Sequence, residues 1–120
     1  MSDQVDVLVV EDEPVLRRTI AFALQSEGYT VMGARDGTDA LRVMESATPW
    51  LILLDMRLPG MDGADFAQEI RRRGIQTKIV VVTGSRDAKK AAQEIGADDC
   101  LAKPFEIDDL LGLVERHRAA

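Results

Sequence analysis

The chain has 120 residues, a formal net charge of −6, 46% hydrophobic and 30% charged residues. That length suits one domain over residues 1–120 and lets roughly two-thirds of the extended-chain surface be buried, so neither disorder nor a stabilising disulfide or metal is expected. The negative charge argues against direct nucleic-acid binding, which usually needs a basic stripe.

The only dense basic run, Arg71-Arg72-Arg73, reads as the solvated last turn of a helix, where cations suit the dipole. Cys100 is the single cysteine, so no internal disulfide forms, and one cysteine with the single histidine, His117, cannot build an ordinary zinc site. Met1 to Val10 lacks the pattern of a secretory signal, and no apolar run approaches ~18 residues. The expected location is therefore the cytoplasm, away from any membrane.

In chain order the apolar segments alternate between two kinds. Val5 to Val10 is a short, nearly continuous Val/Leu run, the pattern of a strand buried on both faces. Pro14 then opens a helix with Leu16, Ile20 and Leu24 four apart, and Gly28 stops it. A weaker strand is predicted over Thr30 to Ala34, followed by a helix capped by Thr38 with Leu41 and Met44 on its apolar face. Trp50 to Leu54 is the third strand. A helix follows from about Gly63 to Gly74, with Phe66 and Ile70 four apart.

Ile79 to Val82 is the fourth strand, and a helix from about Asp87 to Ile95 is closed by Gly96. A weak fifth strand over Asp99 to Ala102 leads to a last helix from near Glu106. That helix has Asp108 and Asp109 in its first turn and Arg116, His117 and Arg118 in its last, complementing the macrodipole at both ends. Five strand–helix repeats predict a three-layer, doubly wound α/β fold with a parallel sheet and right-handed crossovers.

In such sheets, chemistry gathers beyond the carboxyl ends of the strands. The first strand is followed by Glu11, Asp12 and Glu13; the third ends at Asp55; the fourth ends in Thr83, Gly84 and Ser85; the fifth is followed by Lys103. Taken singly, each has a plain reading: Asp12 as a helix cap, Asp55 as a turn residue, Thr83 as a strand end, Lys103 as a solvated loop lysine. Together on one sheet edge they make a site. Carboxylates a few Å apart disfavour ionisation unless a cation neutralises them. Hard oxygen donors select magnesium or calcium, and few protein ligands with room for water and phosphate favour magnesium. Lys103 supplies a positive charge and Thr83 a hydroxyl for a phosphoryl oxygen, and a carboxylate can serve as phosphoryl acceptor.

Glu11-Asp12, the segment from Leu53 through Asp55, Met56, Arg57, Leu58, Pro59 and Gly60 to Gly63, the Thr83-Gly84 step, Gly96-Ala97-Asp98-Asp99 and Lys103-Pro104-Phe105 resemble the response-regulator receiver family along nearly the whole chain. The resemblance implies a flavodoxin-like sheet of order 2-1-3-4-5. It implies a signalling switch, not a classical enzyme, that accepts a phosphoryl group on Asp55 from a sensor histidine kinase or phosphotransfer protein. It also implies magnesium bound by Asp12, Asp55 and the backbone carbonyl of Arg57, with Glu11 acting directly or through water. Thr83 and Lys103 would contact the phosphoryl group, and the fourth helix, fifth strand and fifth helix would form the face that changes. The downstream element would be a separate protein or an effector domain beyond this segment, and the chain itself a monomer or a weak phosphorylation-dependent homodimer.

The sequence departs from the family at Cys100, where Tyr or Phe is usual; Cys100 is expected to be a small buried apolar residue, with output moving through Gly84 to Asp87 and the next helix. An aspartyl phosphohydrolase would place a second acid at position 57, where this chain has Arg57. A flavin carrier would need a hydroxyl-rich phosphate loop where this chain is acidic. A receiver-like module that is never phosphorylated would have lost an acid, the acceptor or the lysine, and none is missing.

Overall fold

The computed structural model describes residues 5–57, 60–84 and 86–118. The elements run β1 (Val7–Val10), α1 (Pro14–Ser26), β2 (Val31–Ala34), α2 (Gly37–Val43), β3 (Leu51–Asp55), α3 (Gly63–Arg72), β4 (Lys78–Thr83), α4 (Ala88–Ile95), β5 (Asp99–Ala102) and α5 (Ile107–Arg118). The five strands are parallel in the order β2-β1-β3-β4-β5. The expected doubly wound α/β fold is what the chain adopts.

Successive strand residues point to opposite faces, and both faces are covered. Val7, Val9, Leu51, Leu53, Val80 and Val82 pack against Ile20 and Leu24 of α1 and Leu110, Leu113 and Val114 of α5. Leu8, Val10, Ile52, Leu54 and Val81 face Ala40 and Leu41 of α2, Phe66 and Ile70 of α3, and Ala92 and Ile95 of α4. This two-sided burial is why β1 and β3 lack polar alternation. Burying each such side chain stabilises by about 1.5–3 kcal/mol before entropy is counted.

Element ends differ from the sequence reading where pairing decides them. β1 starts at Val7, not Val5, because the amides of Asp6 and Val7 both donate to the Thr30 carbonyl, at 2.9 and 3.1 Å, which no regular ladder does. β3 begins at Leu51 and runs on to Asp55, which is in register with Val82 of β4. Trp50 instead ties the strand's start to Asp6, its indole N–H donating to Oδ1 at 3.1 Å.

Thr38 does not cap α2. Asp36 does, its Oδ1 accepting from the Asp39 amide at 2.8 Å, with extended backbone at φ −157°. Asp outranks Thr as a cap. α1 is capped by Glu13, whose carboxylate accepts from the amides of Val15 and Leu16. Gly28 takes φ +93° after α1, the left-handed conformation that favours glycine and stops the helix.

The arginine run at the end of α3 is exposed as expected, yet each arginine has a partner. Arg72 and Arg73 pair with Glu69, but Arg71 reaches α4, donating to the carbonyls of Ile95 and Gly96 at 2.6 and 2.7 Å. It thus satisfies orphan carbonyls at that helix's end. His117 also has a partner that its sequence position does not reveal: its Nε2 lies 2.8 Å from Asp99 Oδ2, beside Arg116 at 2.9 Å, joining the end of α5 to the start of β5.

Burial alone would raise the Asp99 carboxyl, but hydrogen bonds from His117, the Cys100 amide and Arg116 outweigh it and hold the group below its ordinary value. An acid with a depressed folded pKa adds stability that is present above its unfolded pKa and is lost as pH falls through the folded one. Asp99→Asn is therefore expected to lower stability at pH 7 by about 0.5–1 kcal/mol, the partly exposed pair being screened by solvent. Denaturant midpoints of parent and variant should converge as pH falls below the ordinary aspartate value and through the lowered folded one.

Candidate functional site

The parallel sheet places the ends of β1, β3, β4 and β5 on one edge, each bearing one of the polar residues singled out in the sequence. Glu11 directly follows β1 and Asp55 closes β3. Both are buried, at 3% and 5% exposure, as is Thr83 at the end of β4, at 7%. Asp12 is exposed. One carboxylate oxygen from each of Glu11, Asp12 and Asp55 lies within 4.8 Å of the others, an all-oxygen set that fits a hard divalent cation.

Lys103 follows β5 and reaches across β4 into this cluster. Its Nζ donates to Glu11 Oε1 at 3.1 Å and to Asp55 Oδ2 at 3.4 Å. The Lys103 amide donates to the Thr83 carbonyl at 2.8 Å, fixing where the side chain starts. The second Asp55 oxygen accepts from the Arg57 amide at 3.0 Å, and the second Glu11 oxygen from the Glu13 amide at 3.1 Å. An open cleft of about 500 Å³ lies over these groups, rimmed by Asp12, Glu13, Leu16, Arg57 and Gly84. A larger groove of about 600 Å³ runs along α3, lined by Met61, Asp65, Gln68, Glu69, Arg71 and Arg72, where Glu69 and Arg72 pair with each other and Arg71 is bonded to α4.

Burial pushes the Glu11 carboxyl up and Asp55's negative charge adds to that; the Glu13 amide and Lys103 pull it down without cancelling the rise. Burial acts on Lys103 in the opposite sense, but the carboxylates of Glu11 and Asp55 outweigh it and its pKa is raised. The ammonium is therefore held charged between two acids.

Glu11, Asp12, Asp55 and Lys103 are thus brought together as expected, with Arg57 at the rim and Thr83 buried at the adjoining strand end. Leu58, Pro59 and Ser85 lie outside the described residues. Sequence reading assigned Lys103 to a phosphoryl oxygen; its bridge between Glu11 and Asp55 emerges only once β5 is placed beyond β4. Arg17 was also missed: its Nη1 donates to the Glu11 carbonyl at 2.7 Å. Cys100 packs against the core on the α4 side as a small apolar filler, but it is half-buried rather than buried as expected, because β5 is the edge strand of the sheet.

A family profile described as the response regulator receiver domain matches residues 7–115. The chain belongs to the response-regulator receiver family. It is 39% identical over 111 residues to the sensor histidine kinase RcsC of Salmonella typhi, covering 91% of this chain and 12% of RcsC. It is 39% identical over 116 residues to the alkaline phosphatase synthesis transcriptional regulatory protein SphR of Synechococcus elongatus, covering 88% of this chain and 45% of SphR. Among solved structures it is similar to the response regulator TrrA of Thermotoga maritima in complex with Mg(2+)-BeF, with a TM-score of 0.83, 33% identity and coverage of 94% and 98% of the two chains. The receiver segment therefore spans less than half the length of these two curated relatives. The acidic cluster of Glu11, Asp12 and Asp55 is of a kind that could hold a metal ion, consistent with the Mg(2+)-BeF complex of TrrA. Among the described residues, no helix is long and apolar enough to cross a membrane.

Replacing Lys103 would leave Glu11 and Asp55 facing one another without their cation. With metal chelated, Lys103→Met is expected to destabilise at pH 7 by about 1–3 kcal/mol. Glu11 is already above its ordinary 4.5, so it takes up its proton early as pH falls. The raised acid costs stability above its folded pKa and ceases to do so below the unfolded one. Urea midpoints measured from pH 7 down toward 4.5 should therefore show the gap to the parent narrowing.

Proposed function

We propose that this receiver is a phosphorylation-driven switch in which Asp55 accepts a phosphoryl group from the phosphohistidine of a sensor kinase or phosphotransfer protein. The observation that carries this reading is the Lys103 ammonium held 3.4 Å from a buried Asp55 carboxylate, beside an oxygen-only acidic cluster and open to a cleft. An Asp55 oxygen forms the O–P bond while the P–N bond of the donor breaks. The electron pair leaves on the imidazole nitrogen, which takes up a proton.

Magnesium would be held by Asp12, Asp55 and the Arg57 carbonyl, with Glu11 direct or through water; when bound it would supply the positive charge that lets two anionic partners meet. Lys103 and Thr83 then have the roles of holding phosphoryl oxygens. The Arg57 amide keeps one Asp55 oxygen fixed. The chain in this reading is a cytoplasmic switch that promotes its own phosphorylation and dephosphorylation, not a classical enzyme. The changing face is α4, β5 and α5, acting on a partner protein or an attached effector, with the receiver monomeric or weakly dimeric when phosphorylated.

Incubation with a small phosphodonor and magnesium should add one phosphate's mass to the parent and none to Asp55→Asn. Excess chelator should abolish the gain. A phosphorylated Asn variant, or full reaction in chelator, would refute the assignment. Output is proposed to travel through the segment from Gly84 to Asp87 and α4, because Cys100 is too small to act as a moving ring. Amide exchange should therefore change over residues 84–95 on phosphorylation, and Cys100→Ser should retain both the modification and that change. Loss of the exchange change in Cys100→Ser would assign the thiol a specific part.

A further inference from the structure

Arg17 sits one turn into α1 and lines no part of the cleft. Its side chain nevertheless crosses the edge of the sheet to reach the site. The aliphatic stem passes over β2 at Gly33, where an added Cβ would lie 3.2 Å from Arg17 Cδ and 3.4 Å from Cγ. The guanidinium then donates from Nη1 to the Glu11 carbonyl oxygen at 2.7 Å.

That carbonyl belongs to the peptide joining Glu11 to Asp12. A peptide is planar, so holding its oxygen also sets the plane from which Asp12 departs. This matters because the two acids are secured differently. The Glu11 carboxylate is held at both oxygens, by the Glu13 amide and by Lys103. The Asp12 side chain is exposed and makes no hydrogen bond or ion pair among the described residues. Its place within 4.8 Å of Glu11 and Asp55 therefore rests on the backbone, which Arg17 fixes at the Glu11 carbonyl and the Glu11 carboxylate fixes at the Glu13 amide.

We propose that Arg17, admitted by Gly33, is a positioning residue for the cation site, holding the Glu11–Asp12 peptide so that the Asp12 carboxylate faces the cluster. The proposal rests on the reading of Glu11, Asp12 and Asp55 as the magnesium site. A competing consideration has the opposite sign: a guanidinium near a cation site repels the cation, so its removal would tighten binding. Directional hydrogen bonding outweighs this, because the guanidinium bonds a neutral carbonyl and its charge stays open to solvent screening. Partners that orient metal ligands change metal affinity by about 10- to 100-fold when lost.

The test is magnesium binding measured by calorimetry on the unphosphorylated chain, with thermal midpoints recorded in chelator. Arg17→Met keeps the stem and removes the donors; it should weaken magnesium on the order of tenfold. Arg17→Lys keeps the charge and one donor and should recover part of that loss. Gly33→Ala leaves Arg17 intact but obstructs its path, and should weaken binding in the same direction by a smaller factor. Exchange of the Glu13 amide, which depends on the same turn, should quicken in Arg17→Met. Unchanged or tighter magnesium binding in a folded Arg17→Met would overturn the proposal. If Arg17→Met fails to fold, parental binding by Gly33→Ala would do so. A parent that binds no magnesium would instead refute the cation site itself, and the role of Arg17 with it.

Discussion

Two carboxylates, Glu11 and Asp55, are buried side by side, and the ammonium of Lys103 between them is what makes that arrangement tenable. Charges taken out of water need a partner of opposite sign with good geometry. The partner here comes from the far edge of the sheet: Lys103 follows β5, yet its targets follow β1 and close β3. The contact exists because every strand is parallel and all carboxyl ends share one edge. A lysine, with a long flexible stem and a compact charge, suits the span across β4. The hydrophobic layers on both faces hold the strands in that order and so hold the charges in reach of one another.

α1 shows how one element serves both ends of this arrangement. Ile20 and Leu24 bury its inner face against β1 and β3. Its N-terminal cap, Glu13, belongs to the acidic turn, and the Glu13 amide returns a hydrogen bond to Glu11. The helix is thus anchored by apolar packing at one end and by the polar turn at the other. α4 is tied at both ends: Arg71 of α3 secures its C-terminal carbonyls, and Asp87 caps its N-terminus by accepting from the Lys90 amide at 2.9 Å.

The sheet was legible in the sequence because burial on both faces leaves β1 and β3 as unbroken runs of Val, Ile and Leu, while helices keep spacings such as Leu16-Ile20-Leu24. Strand ends were not. Whether Val5 or Trp50 belongs to a strand depends on hydrogen bonds to Thr30 and Asp6, far away in sequence. Thr38 and Asp36 are both good caps, and only the backbone turn decides between them. At the site, Glu11, Asp12, Asp55 and Lys103 were legible because each lies where its strand ends. The Lys103 bridge, the Arg71 clasp and the Asp99–His117 contact were not, since each joins elements brought together only by crossovers. Arg17 left one weak signal, a glycine inside an edge strand, which often marks a close approach.

β5 is the strand in which these long-range ties meet. Its first residue, Asp99, is bound to His117 and Arg116 of α5, and the amide of the residue after its last, Lys103, is bonded to Thr83. Between these fixed ends, Cys100 presents a small side chain to the α4 face, beside a core that includes Ala92 and Ile95. A strand of four residues pinned at both ends has little freedom to flex internally, so a pull on the Lys103 end is resisted by α5 through Asp99. On the α4 side the contact is a half-buried thiol against small and branched side chains, with no ring in it. On the proposed reading, added negative charge at Asp55 draws on Lys103 more strongly than Glu11 does. Such a pull would be passed along β5 to both of its ties, the Asp99 contacts with α5 and the packing of Cys100 on the α4 side.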